Sequence, residues 1–381
     1  MKRAMPVLRL ISYCALCSCL YAEVWQVDLD QYGYLKPPPR GVFPEGSLSI
    51  SRYVDFDREG NVIVGLVTRG AVQPQQPNKM TPQFASLIWR TLVFDRYERL
   101  LARNDIPAGS WHENSLFAAG DGNLLIRTSN KVKLLSSKGK TLAERSLPLV
   151  DAAGYNRFWW ILPFPNRRFF LLHETVTRER TDEVLDARDL AIVSHCSEDQ
   201  QIASVSDQFV LSRSYVPSSR VGIPDALRLT IKKFCGELEF ALDVNQAEST
   251  PFYACLLNDH TVVLAGSAPS IVLNDNGKEQ WRDSFDRKHD SVDNRVRADE
   301  SGTVFAVLVK TWAGGSKFLD INPHLKALTI VVYAAKDGKR LLEVPVMPLP
   351  SSVLDFAVSM DGKYLGITFD GELRLIPIPT P

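Results

Sequence analysis

Along most of this chain, short runs of Val, Ile, Leu and Phe close on Asp, Asn, Ser or Gly and reopen into another apolar run. The first such unit is Val54-Asp55-Phe56-Asp57-Arg58-Glu59-Gly60-Asn61-Val62-Ile63-Val64. The last is Phe356-Ala357-Val358-Ser359-Met360-Asp361-Gly362-Lys363-Tyr364-Leu365-Gly366. Short β-branched and aromatic runs bounded by turn formers read as strands joined by hairpins, and helical periodicity is hardly present. Asp-Gly and Asn-Gly supply the positive φ that a tight hairpin needs.

Two kinds of turn alternate. The first comprises Arg58-Glu59-Gly60-Asn61, Gly120-Asp121-Gly122-Asn123, Phe164-Pro165-Asn166-Arg167, Ser206-Asp207, Asn258-Asp259-His260, Glu300-Ser301-Gly302 and Met360-Asp361-Gly362. It recurs at roughly 40 to 60 residues, the period of four-stranded propeller blades. The second, between them, comprises Arg96-Tyr97-Glu98, Ser136-Ser137-Lys138-Gly139-Lys140, Ala187-Arg188-Asp189, Cys235-Gly236, Asn274-Asp275-Asn276-Gly277-Lys278 and Lys336-Asp337-Gly338-Lys339. With strands named a to d from the axis outward, the first turns join a to b and the second join c to d. Blade two then reads 115–119, 124–128, 131–135 and 141–147; blade five reads 252–257, 261–265, 270–273 and 279–285.

Blade seven has strands at 353–359, 364–369 and 372–377 but no outer strand, while Val24-Trp25-Gln26-Val27-Asp28-Leu29 has no hairpin partner nearby. Pairing the two closes the ring and removes an open sheet edge. The expected fold is therefore all-β: a seven-bladed β-propeller of four-stranded antiparallel blades, its ring closed by the N-terminal strand in the last blade.

The turn and outer strand of Asn274-Asp275-Asn276-Gly277-Lys278-Glu279-Gln280-Trp281 resemble the repeats of quinoprotein-like propellers. The pattern over 356–367 resembles WD40-like and related secreted bacterial propellers. The resemblance covers the chain at superfamily level. No blade carries the Trp-Asp or Gly-His of WD40 repeats, and only Trp281 matches the outer-strand Trp of quinoprotein repeats; Leu100, Ala143 and Leu342 stand at the corresponding places. The resemblance thus implies an architecture and no activity.

Lys+Arg and Asp+Glu both number 44, so there is no basic excess to neutralise phosphates, which argues against nucleic acid as a partner. Lys2, Arg3 and Arg9 precede an apolar stretch from Leu10 to Leu20 that ends at Tyr21-Ala22-Glu23. These are the parts of a secretory signal, too short to span a bilayer. We expect cleavage after Ala22, a single domain over 23–381, and a secreted or periplasmic protein without a membrane span. The alternative is a lipoprotein: Leu16-Cys17-Ser18-Cys19 loosely resembles a lipobox, with Cys19 as the lipidated residue. Cys196, Cys235 and Cys255 remain in the mature chain, an odd number at wide spacing. On the strand map Cys196 and Cys235 fall at opposite strand ends, so we expect three free thiols and no bridge.

Long b–c connections fall at 69–85, 175–182, 214–226 and 311–326, whereas the a–b and c–d turns are uniformly tight. Every elaboration lies on one face, the usual arrangement for recognition. That face carries Arg69, Arg178, Arg180, Arg213, Arg220, Trp111, His112, Tyr155, Tyr215, His289 and Trp312. Arg with aromatics is the composition of interface hot spots and of carbohydrate or carboxylate recognition. The competing reading has these Arg residues solvated, or paired with Glu179, Asp182 and Glu183.

Asp55-x-Asp57-x-Glu59-Gly60 imitates an EF-hand start, but Leu66 stands near the closing Glu position and cannot ligate. The His residues lack zinc-site spacing, and there is neither a Gly-x-Ser-x-Gly elbow nor a phosphate loop. We expect no metal and no cofactor. Asp286-Arg287-Lys288-His289-Asp290 is the one cluster that suggests catalysis. The leading expectation is an exported, monomeric binding or scaffold module for a protein or glycan partner on the b–c face. A hydrolase or lyase with an axial site is the alternative, and a degenerate quinoprotein-like oxidoreductase the third. Three or more ionisable side chains with shifted pKa values at the axial mouth would favour an enzyme.

Overall fold

The computed structural model describes residues 25–34, 48–69, 87–107, 115–128, 130–148, 159–174, 181–196, 201–216, 226–245, 252–266, 270–286, 288–313, 324–350 and 354–380. They form seven four-stranded antiparallel sheets packed face to face in a ring, with no α-helix among the described residues. No described helix is long and apolar enough to cross a membrane. Blade two has strands Ser115–Ala118, Leu124–Thr128, Lys131–Leu135 and Thr141–Ser146; blade five has Phe252–Leu256, Thr261–Gly266, Ser270–Asp275 and Lys278–Ser284.

The recurring Asp, Asn and Ser at the turns act through their side chains. Asp57 Oδ1 accepts the Asn61 N–H at 2.8 Å, and Asp299 Oδ1 accepts that of Val304 at 2.8 Å. Asn258 Oδ1 accepts from His260 and Thr261, and Ser359 Oγ from Lys363 and Tyr364. Each side chain replaces a ladder partner where the backbone reverses, which is why these residues punctuate the apolar runs. Gly338 shows a second requirement. Its φ is 70°, and a Cβ there would lie 2.6 Å from Trp281. Trp281 needs that space: it stacks on Phe305 and Tyr333 and donates its indole N–H to Ala335 O at 2.8 Å.

Strand alternation sends successive side chains to opposite seams. Seven apolar clusters result, one per pair of neighbouring blades. The closing strand, Trp25–Asp28, pairs with Glu372–Pro377 as expected, with Val27 opposite Leu373. Val27, Leu29 and Tyr34 are buried with Val54, Phe56 and Leu92, so this segment joins blade seven to blade one. Arg90 of blade one reinforces the joint: it donates to the carbonyls of Tyr32 and Gly33 and grips Asp105 with two bonds of 2.7 Å.

Two expectations change. The elaborations of blades four and six are partly hairpin rather than loop. In blade four, Phe209–Val216 pairs with Ala226–Lys233; in blade six, Val304–Ala313 pairs with His324–Ala334, so Trp312 lies on a strand opposite Leu325. The expectation of three free thiols also fails: Cys255 is free, but Cys235 is disulfide-bonded. The expectation placed Cys196 and Cys235 at opposite strand ends, too far apart for a bridge, whereas Cys235 Sγ lies 3.9 Å from Ser194 Oγ on the outer strand of blade three, two residues from Cys196. The expected leader, with Cys14, Cys17 and Cys19, lies outside the described residues.

Candidate functional site

The b–c and d–a connections open on one face, where each inner strand begins. On blade six the inner strand is Asp290–Ala298. Just before it, His289 Nδ1 lies 2.7 Å from Asp286 Oδ2, and that bond holds the Asp286 carboxyl below its usual range. Asp290 accepts the Asp286 N–H at 3.1 Å and the Thr311 hydroxyl at 2.7 Å. Trp312 donates its backbone N–H to His289 O at 2.8 Å and its indole N–H to Ser291 Oγ at 3.0 Å. Two of the expected site residues, His289 and Trp312, are thus brought together. The charged cluster between blades five and six is a turn tied by its own bonds, with Arg287 outside the described residues.

Deeper along the axis, the ladder register of blade six breaks between Val292 and Val296. This bulge turns Asp293 and Arg295 away from regular pairing, as bulges do when they re-aim side chains. Lys310 Nζ lies 2.6 Å from Asp293 and Arg295 Nε 2.9 Å from it. Arg295 also donates to Leu354 O at 2.5 Å, and with Arg297 it faces Asp355 of blade seven at 3.5 and 3.7 Å. Asp355 in turn accepts the Val54 N–H of blade one at 3.0 Å. Burial pushes Asp293 up, but Arg295 and Lys310 outweigh it and hold the carboxyl low. At Asp355 burial prevails over the two guanidinium groups, and the pKa is raised. Nearby, Asp55 accepts the Tyr53 hydroxyl at 2.6 Å and pairs with Arg167 of blade three at 2.8 Å. Asp293, Asp355 and Asp55 are each held by cations or backbone donors, so they tie strands and blades together rather than presenting a free base. Of the EF-hand-like stretch, Asp55 is engaged by Arg167, and Asp57 by Asn61 within its own turn.

Sequence reasoning missed Trp160. It lies at the connection-face end of the inner strand of blade three, Trp159–Pro163, and is 60% exposed while Trp159 is buried. The signal was present: two adjacent Trp residues on one strand cannot both face the same seam. Trp160 starts a cross-strand row through His173 and Asp182. His173 Nδ1 lies 2.5 Å from Asp182 Oδ1, and both side chains are buried.

Of the other expected residues, Arg213 sits opposite Leu229 on the second strand of blade four, half-buried and engaged in an interaction. Arg69 and Tyr215 end strands Val62–Arg69 and Phe209–Val216, but their side chains lie outside the description. Arg178, Arg180, Arg220, Trp111, His112 and Tyr155 lie outside the described residues altogether.

The opposite face is bound to itself. Gly120 N–H donates to Arg167 O at 2.9 Å, Glu300 N–H to Met360 O at 3.1 Å, and Ser206 Oγ–H to Asp259 at 2.9 Å, each joining turns of neighbouring blades. Arg58 meets Glu300 at 2.8 Å across blade seven. A cavity of about 320 Å³ opens there between blades five and six, among Asn258, Asp275, Thr303 and Lys336. Its Asp275 already accepts the Thr261 hydroxyl at 3.2 Å.

No family model and no curated protein matches the sequence. Among solved structures, one titled as a mitotic checkpoint complex superposes with a TM-score of 0.51 at 11% identity, over 91% of this chain and 96% of that one. The Dos1 propeller matches at 0.46 and 13% identity, covering 88% of this chain and 94% of that one. BamB from Moraxella catarrhalis matches at 0.44 and 14%, covering 94% and 99%. Likeness at such identity shows the fold alone. The chain is a seven-bladed β-propeller.

Proposed function

We propose that this chain is an exported binding or scaffold propeller that holds a protein or glycan partner on the face of the long b–c connections. The observation that carries this reading is the contrast between the faces. On one, turns of neighbouring blades are tied to each other. The other carries an exposed Trp160 and the His289–Trp312 contact. Accessible aromatic side chains held on a rigid frame are among those in which binding energy concentrates. Asp286, Asp293 and Asp355 carry shifted pKa values near the axis, the sign expected of an enzyme. But Asp286 is paired with His289, Asp293 with Arg295 and Lys310, and Asp355 with Arg295 and the Val54 N–H, and this pairing supports binding over axial catalysis.

Export fits the expected leader over 1–22, with 23–381 as the mature domain acting as a monomer. A disulfide at Cys235 is consistent with an oxidising compartment. Changing Arg178, Arg213, Tyr215 or Trp312 to Ala should weaken partner capture on a glycan array or in envelope pull-downs, while Lys138→Ala and Lys339→Ala leave it unchanged. Equal losses in both sets would reject the assignment. N-terminal sequencing of the protein from its producing cells should begin at Glu23; an intact Met1 in the cytosol would reject export.

A further inference from the structure

Among the described residues, the seam between blades three and four has the smallest apolar cluster of the seven. Its apolar cluster holds six buried residues among those described, against sixteen between blades six and seven. Phe164, Leu171, Val184, Ile202, Val205 and Val210 form it. One step nearer the connection face the seam turns polar. By strand alternation His173 and Asp182 share the face of Leu171 and Val184, and Ser212 that of Val210. His173 Nε2 and Ser212 Oγ are buried with no hydrogen-bond partner among the described residues. Few apolar contacts and two unsatisfied polar atoms make this a weak joint.

We propose that the partner of Cys235 is Cys196, and that this bridge pins blade four to blade three across the weak seam. The outer strand of blade three, Ile192–Cys196, places Cys196 opposite Asp182 and two residues beyond Ser194. Residues two apart share one face of a strand. The Sγ of Cys235 lies against Ser194 Oγ at 3.9 Å, so that face is the one turned toward the c–d turn of blade four. Cys255 is free and half-buried, its thiol pushed up by desolvation and disfavoured as a nucleophile. The pairing follows from position in the fold and does not depend on export; its formation in the cell does. As the S–S bond forms, the two thiols lose two electrons and two protons to a disulfide donor, whose own S–S bond is reduced to two thiols.

The test uses the full mature chain, folded with oxidised glutathione as the donor. After thiol blocking and digestion without reductant, the peptide containing Cys196 should be joined to that containing Cys235, with Cys255 singly alkylated. Dithiothreitol should lower the Tm by roughly 3 to 8 °C. It should also raise amide exchange first along 192–196 and 201–205. Cys196→Ser and Cys235→Ser should reproduce that Tm and lose their response to dithiothreitol, whereas Cys255→Ser keeps it. A full-length chain in which Cys235 is joined to Cys14, Cys17 or Cys19, or a mature chain in which it is unpaired, would overturn the proposal. So would reduction that speeds exchange equally at every seam. If the Ser variants do not fold, the peptide map of the wild-type chain still decides.

Discussion

The two faces of this ring are built from the same strands, yet they use their polar groups differently. On the turn face, Asp57, Asp299, Asn258 and Ser359 each close a hairpin, and Arg58–Glu300 spans the mouth. On the connection face, polar and aromatic groups are held on strands that run past the body of the blade, as Trp312 is. The difference teaches that turn chemistry and recognition chemistry are separable here. Substitutions on the turn face should change stability without changing binding, and those on the connection face should do the reverse.

The largest effect tests the frame that both faces share. Deleting residues through Leu29 removes Val27 and Leu29 from the core of the closing seam and bares the edge of blade seven. The deletion should cost several kcal/mol, on the scale of two buried aliphatic side chains at about 2–5 kcal/mol each, and should promote edge-to-edge aggregation. Chemical denaturation and light scattering measure both. A variant as stable and monodisperse as the parent would contradict the closure.

On the turn face, Gly338→Ala should destabilise by about 2 kcal/mol, because a Cβ at positive φ meets Trp281. Urea unfolding reads that loss, and partner binding should stay unchanged.

A smaller effect on the same face depends on pH. Burial pushes Asp57 from 3.8 to about 6, against the bonds from Asn61 and with the help of the Glu59 charge. A raised carboxyl pKa favours the folded state while the group is protonated. Its contribution is therefore full below about pH 4 and is lost as pH rises through about 6. Asp57→Asn, which keeps an acceptor for the Asn61 N–H, should flatten this part of the stability profile by about 1–2 kcal/mol. Parallel profiles for the two proteins between pH 4 and 6 would show that the shift is not there.

Much of this architecture was legible because a hairpin states itself locally. In blade two the second and third strands, Leu124–Thr128 and Lys131–Leu135, fall at the residues read from the sequence, and the closing strand was identified by its lack of a local partner. What escaped depends on neighbours distant in sequence. Trp160 is exposed because of where its strand meets the axis, and Arg295 finds Asp355 across a seam through a bulge that no spacing announces. Cys235 belongs to the same class: the turn that carries it meets Ser194, about 40 residues upstream, a contact set by ring packing rather than by hairpin register. The candidate site was legible as a face, since connection length is written in the sequence. Its individual residues were not, because which side chains meet on that face is settled by packing.

The central claim is that partners meet the connection face, and in-cell photo-crosslinking tests it most directly. A photoreactive amino acid is placed in turn at Trp160, Trp312, Lys138 and Lys339, the first two on the connection face and the last two in turns of the other. The account predicts covalent adducts after irradiation from Trp160 or Trp312 and none from Lys138 or Lys339. Adducts confined to Lys138 and Lys339 would contradict it and move the binding site to the turn face.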